Sequence, residues 1–123
     1  MEKIILDTNI LIEILKGNQK IVKKIENPKY KLYISSITAM ELYYGAFNKA
    51  ELFKLKKFIS LFNMIEINEN ISNISTELIF EYAKSHNLAI PDSLIASSAI
   101  NNNIKLYTLN IKDFQYIDGL SLL

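Results

Sequence analysis

At 123 residues the chain has room for one domain with a single core and not for two. Half of its residues are hydrophobic, and 14 basic against 13 acidic residues leave a formal net charge of +1, so no bulk field marks it as a partner of polyanions. It has no cysteine and a single histidine, His86, which excludes disulfides, thiolate zinc sites and histidine clusters; any metal must be held by oxygen.

Residues 3–6 read as a short buried strand, continuous and β-branched, followed at once by the polar capping types Asp7, Thr8 and Asn9. Ile10, Leu11, Ile14 and Leu15 then repeat at helical spacing until Gly17-Asn18 stops the helix, and a second amphipathic helix covers 19–26 before the turn Asn27-Pro28. A strand is expected over 32–35, with Ser36 or Thr38 capping a helix that runs through Asn48 and carries Glu41. The next helix, 50–62, has an apolar side of Leu52, Leu55, Phe58, Ile59 and Phe62. Further on, 64–67 is a strand candidate, and 72–87 a helix with Ile74, Leu78, Ile79 and Tyr82 on one side. Pro91 opens a helix to Asn102. A strand over 105–109, a turn or short helix over 110–114 and a terminal edge strand over 120–122 complete the chain. Strands separated by helices imply parallel pairing with right-handed crossovers, hence an α/β protein: a three-layer α/β/α sandwich with a mostly parallel central sheet, one domain over residues 1–123. The start at Met1-Glu2-Lys3 leaves no room for a signal peptide before the first strand, and no apolar run approaches the roughly 20 residues of a membrane span; the expected location is the cytoplasm.

Three carboxylates lie where an ordinary strand or helix least wants a bare negative charge. Asp7 closes the run Ile4-Ile5-Leu6, Glu41 falls among Ile37, Met40 and Tyr44, and Asp92 follows Pro91 at a helix mouth. Taken singly, Asp7 also reads as a helix cap, Asp92 as an acid favoured by the macrodipole, and Glu41 as half of a salt bridge. Taken together in an α/β sheet, where ligands bind beyond the carboxyl ends of the strands, they predict a site for a hard divalent cation. A dinucleotide-binding or receiver-type reading fails because the only glycines are Gly17, Gly45 and Gly119, none of them after the first strand.

Four stretches carry a family resemblance: Ile5-Leu6-Asp7-Thr8-Asn9, then Ser36-Ile37-Thr38-Ala39-Met40-Glu41-Leu42-Tyr43-Tyr44-Gly45, then Pro91-Asp92-Ser93-Leu94-Ile95-Ala96, and Tyr107-Thr108-Leu109-Asn110-Ile111-Lys112-Asp113-Phe114. In that order they resemble the PIN-domain ribonucleases, most closely the VapC-type toxins of toxin-antitoxin pairs. The resemblance implies a Mg²⁺-dependent endoribonuclease, with Mn²⁺ an alternative ion, that cuts single-stranded or loop RNA, pairs with a small antitoxin protein and forms a homodimer. It implies that Asp7 and Asp92 are the principal metal ligands, that Glu41 contributes directly or through water, and that Thr8 orients the cluster. Asn110 stands where many members carry a fourth Asp, so either Asn110 or Asp113 completes the catalytic set. Competing expectations are an RNA-processing PIN nuclease without an antitoxin and a catalytically inactive PIN-like binding module. Lys20, Lys23 and Lys24 on one helix and Lys54, Lys56 and Lys57 on another are candidate contacts to an RNA backbone, or ordinary solvated faces. Tyr43 and Tyr44 are candidates for stacking on a base, or for core packing.

Overall fold

Ile4, Ile5 and Leu6 are wholly buried because their strand, β1 (Glu2–Leu6), lies inside the sheet with helices on both faces. The computed structural model describes residues 1–123. Around β1 stand β2 (Tyr30–Ser35), β3 (Asn63–Ile65) and β4 (Lys105–Tyr107) in the order β3-β2-β1-β4, and every ladder is parallel. The helices are α1 (Thr8–Leu15), α2 (Gln19–Ile25), α3 (Ser36–Tyr44), α4 (Lys49–Ile59), α5 (Glu69–His86) and α6 (Ile90–Asn102), with a 3₁₀ turn at Ile111–Asp113. No helix is long and apolar enough to cross a membrane.

The two-residue period of β1 divides the core. Ile4 and Leu6 point into one cluster, shared with Ile10 and Leu11 of α1, Ile21 and Ile25 of α2, Leu42 of α3, and Leu55 and Ile59 of α4. Ile5 points the other way, against Leu78 and Tyr82 of α5 and Ile95, Ala96 and Ala99 of α6. The expected three layers are therefore present, with α1 to α4 on one face of a parallel sheet and α5 with α6 on the other.

Helix ends follow local chemistry. Gly17 (φ 82°) takes the left-handed conformation after α1, and Asn87 (φ 56°) and Asn103 (φ 53°) do so after α5 and α6, Asn being the non-glycine residue that tolerates it best. Several expected boundaries move. The α3 cap is Ser35, whose hydroxyl accepts the Ile37 N–H at 3.2 Å, and neither of the expected caps, Ser36 and Thr38; the helix stops at Tyr44 because Gly45 ends it. Asn48, expected inside that helix, instead caps α4 by accepting the Glu51 N–H at 2.9 Å. β4 ends at Tyr107, since Thr108 turns its side chain to another task, and α5 begins three residues early behind the Asn68 cap. The terminal edge strand reduces to a single parallel bridge between Leu106 and Leu122.

Candidate active site

Parallel pairing puts the carboxyl ends of β1, β2 and β4 on one edge of the sheet, and the residue types that follow those ends are acids and hydroxyls. Asp7 follows β1 directly, is 4% exposed and caps α1. Both of its oxygens are engaged: Oδ1 accepts the Thr8 N–H at 2.8 Å, and Oδ2 accepts the Thr108 hydroxyl at 2.7 Å from the end of β4. Thr108 in turn accepts the Asn110 N–H at 3.0 Å, so one hydroxyl ties the β4 exit to the Asp7 carboxylate. Capping and site formation, which compete as readings of the sequence, are here the same geometry.

Glu41 enters from α3. Thr8 donates its hydroxyl to Glu41 Oε1 at 2.7 Å and lies 3.0 Å from the Oγ1 of Thr38, which is wholly buried. The expectation that Glu41 shares a buried stripe with Met40 and Tyr44 is corrected: Met40 is 53% and Tyr44 94% exposed, and Glu41 is itself exposed. The inward face of α3 is made of the smaller Thr38 and Ala39 with Leu42, which lets the helix sit close to the sheet. Tyr43, beside them, packs partly against the core. Asp92 stands in the first turn of α6, whose cap residue Ala89 offers no side-chain acceptor. Asp113 closes the 3₁₀ turn after β4.

Electrostatics shows that these acids share one space. Burial first, and then the charges of Glu41 and Asp113, push the Asp7 carboxyl above its usual range, against the lowering effect of its Thr108 and Thr8 hydrogen bonds. Burial and the charges of Asp7, Asp113 and Glu41 push Asp92 up to about 6. The two salt bridges of the chain, Lys16 with Glu13 and Lys105 with Glu2, involve none of the four. A divalent cation among the carboxylates would relieve this repulsion, and an all-oxygen donor set fits a hard dication such as Mg²⁺. His86 is elsewhere, stacked on Tyr116. No three acids are gathered tightly enough to enclose an ion by themselves. That openness suits an ion that keeps waters and takes substrate phosphate oxygens alongside one or two carboxylates.

Asp92 thus feels the charges of Asp7, Asp113 and Glu41, and Asp7 those of Glu41 and Asp113, whereas Asn110 has an exposed side chain and only its backbone tied to Thr108. The lysine groups lie on α2 and α4; Lys24 stands 4.4 Å from the centre of the Tyr107 ring, and Lys54, Lys56 and Lys57 surround an open hollow beside Phe53. Two site residues escaped the sequence reading, Thr108 and Thr38. Thr108 was hidden because it falls inside the strand expected over 105–109, whereas β4 ends at Tyr107.

The fold and this acid cluster define a class: a parallel α/β/α domain with a carboxylate site at the strand ends. A family model described as PIN domain matches residues 4–120. Ribonuclease VapC1 of Rickettsia felis is 30% identical over 128 residues, covering 98% of this chain and 94% of that protein. The tRNA(fMet)-specific endonuclease VapC of Shigella flexneri is 29% identical over 126 residues, covering 98% and 96%. Among solved structures, VapBC2 from Rickettsia felis bound to a DNA fragment from its promoter contains a chain of 32% identity and TM-score 0.84, covering 98% of this chain and 97% of that one. The chain belongs to the PIN-domain family of nucleases, as its four sequence stretches led us to expect.

Proposed function

We propose that the chain, acting as a single nuclease domain over residues 1–123, is a Mg²⁺-dependent endoribonuclease that cuts single-stranded or loop RNA as the toxin of a type II toxin-antitoxin pair. The observation that carries this reading is the group of four mutually repelling carboxylates at the strand ends with no lysine to neutralise them. Relatives named as ribonucleases and solved toxin-antitoxin complexes support it from outside the chain.

Asp7 and Asp92 are the residues that would hold the ion, with Glu41 beside them and Asp113 completing the set. A bound Mg²⁺, or Mn²⁺ in its place, supplies Lewis-acid stabilisation of the phosphoryl oxygens and a more acidic water. The chain supplies the rest. Thr8 and Thr108 fix the two oxygens of Asp7, so that its carboxylate needs no reorganisation when substrate arrives. Glu41, aimed by the Thr8 hydroxyl, orients the attacking water and accepts its proton on a carboxylate oxygen. In-line attack then leaves a 5′-phosphate and a 3′-hydroxyl.

The antitoxin partner has a place to lie. A groove of about 590 Å³ begins at Thr8 and Glu41 and continues over Ile12, Leu15, Leu42, Phe47 and Leu55. Its apolar floor suits a segment that orders on binding. The exposed Met40 and Tyr44 support pairing with a second copy, and an RNA substrate would fit a cytoplasmic location.

Partner-free protein incubated with total RNA, and with initiator tRNA as a defined substrate, should yield discrete fragments with 5′-phosphate ends only when Mg²⁺ is present. Fragments that persist in excess chelator, or no fragments at all, would refute the reading.

A further inference from the structure

An aromatic cluster beside the acids is used by nothing described so far. His86, the last residue of α5, stacks on Tyr116 with ring centres 4.0 Å apart and planes 14° from parallel. Tyr82, one turn earlier and buried, meets both rings edge-on, Tyr116 at 5.0 Å and His86 at 5.7 Å. Its hydroxyl accepts the Asp118 N–H at 3.3 Å, which ties the segment carrying Tyr116 to α5. The stack is therefore held from two sides.

Its position matters as much as its rigidity. His86 precedes Asp92 by a short α5–α6 corner, and Tyr116 follows Asp113 by one turn. The charges of Asp113 and Asp92 reach the Tyr116 hydroxyl and, after burial, help to raise its pKa. Tyr116 stacks on one face of the His86 ring, yet the residue as a whole is exposed, which puts the stack at the surface. A held aromatic stack at the surface, at the rim of an acid cluster, is what an unstacked base needs: every base has a π face, and proteins that take single-stranded RNA seat successive bases on such rings.

We propose that the stacked His86 and Tyr116 rings form a nucleobase platform that receives an unpaired base flanking the phosphate held at the acid cluster. This rests on the ribonuclease reading above and adds the place where the strand is gripped. An isolated aromatic stack that only closed the end of α5 would affect stability and not substrate affinity. With stacking at a typical strength for one base, His86→Ala should raise KM for a short single-stranded RNA about 5- to 100-fold with kcat changed by less than about threefold, and His86→Phe, which keeps a flat ring, should restore KM.

The experiment has two arms, both on the full chain freed of partner. The first is steady-state cleavage by wild type, His86→Ala and His86→Phe, with circular dichroism to show that each is folded. The second uses the Glu41→Gln background with Mg²⁺ present, which keeps Asp7 and Asp92 and removes the proton acceptor, and a single-stranded RNA carrying 2-aminopurine at successive positions; stacking quenches its fluorescence at one position, and His86→Ala abolishes the quench. An unchanged KM in a folded His86→Ala protein, or no quenching at any position, overturns the platform while leaving the ribonuclease reading intact. A wild-type protein that cuts nothing overturns the ribonuclease reading instead, and the quench then decides the platform by itself.

Discussion

At the amino end of the sheet, Glu2 on β1 faces Lys105 on β4 at 3.5 Å, both side chains partly in water. At the carboxyl end of the same two strands, Asp7 feels the charges of Asp113 and Glu41, Asp92 feels all three, and no lysine joins them. The first arrangement is what a neutral surface does with charge, and it contributes little in either direction. The second costs the metal-free fold stability, because burial and like charges both oppose ionisation. The contrast between paired acids at one end and unpaired acids at the other is what the proposed ion site would explain.

The largest expected effect comes from removing an acid. Asp7→Asn should lower RNA cleavage at least about a thousandfold, a barrier increase of about 4 kcal/mol, while circular dichroism stays that of the wild type. Cleavage within tenfold of wild type would dissolve the contrast between the two ends. Thr108→Val keeps the shape and removes the donor to Asp7 Oδ2, and a loss of 10- to 100-fold in activity is expected, restored by Thr108→Ser. The rescue separates loss of the hydroxyl from loss of packing.

Acidity gives a smaller, graded test. Asp92 is raised from 3.8 to about 6 in the fold, so below pH 4 both folded and unfolded chains hold its proton. Between pH 4 and 6 the unfolded chain releases it first, and the metal-free protein loses stability as pH rises through that window. A dication competes with the same proton, so Mg²⁺ affinity should rise over this range and level off above pH 6, read from melting temperatures with and without the ion. The smallest effect belongs to the other end of the sheet: Glu2→Gln should change stability by less than about 1 kcal/mol and leave cleavage unchanged.

How much of this was legible in the sequence depends on the range of the interaction. Asp7 could be placed because a buried three-residue run and a capping residue are local signals, and the two core clusters follow from the alternation of Ile4, Ile5 and Leu6. The face of α3 was misjudged because apolar Met40 and Tyr44 outweigh Thr38 and Ala39 in any hydrophobic pattern, although it is the small residues that approach the sheet. Three hydroxyls in four positions, Ser35, Ser36 and Thr38, left the cap ambiguous until the backbone was known. The Thr108 contact joins residues 101 positions apart, and the His86–Tyr116 stack is similarly non-local; neither has a periodicity to betray it.

The most direct test of the central claim is the melting temperature of partner-free wild type, Asp7→Asn and Asp92→Asn at pH 7, with and without Mg²⁺. The account predicts that without the ion each Asn variant melts at or above the wild type, and that Mg²⁺ raises the wild type while moving the variants far less. A wild type indifferent to Mg²⁺, with both variants less stable than it in the absence of the ion, would show that these acids hold the fold together and contradict the account.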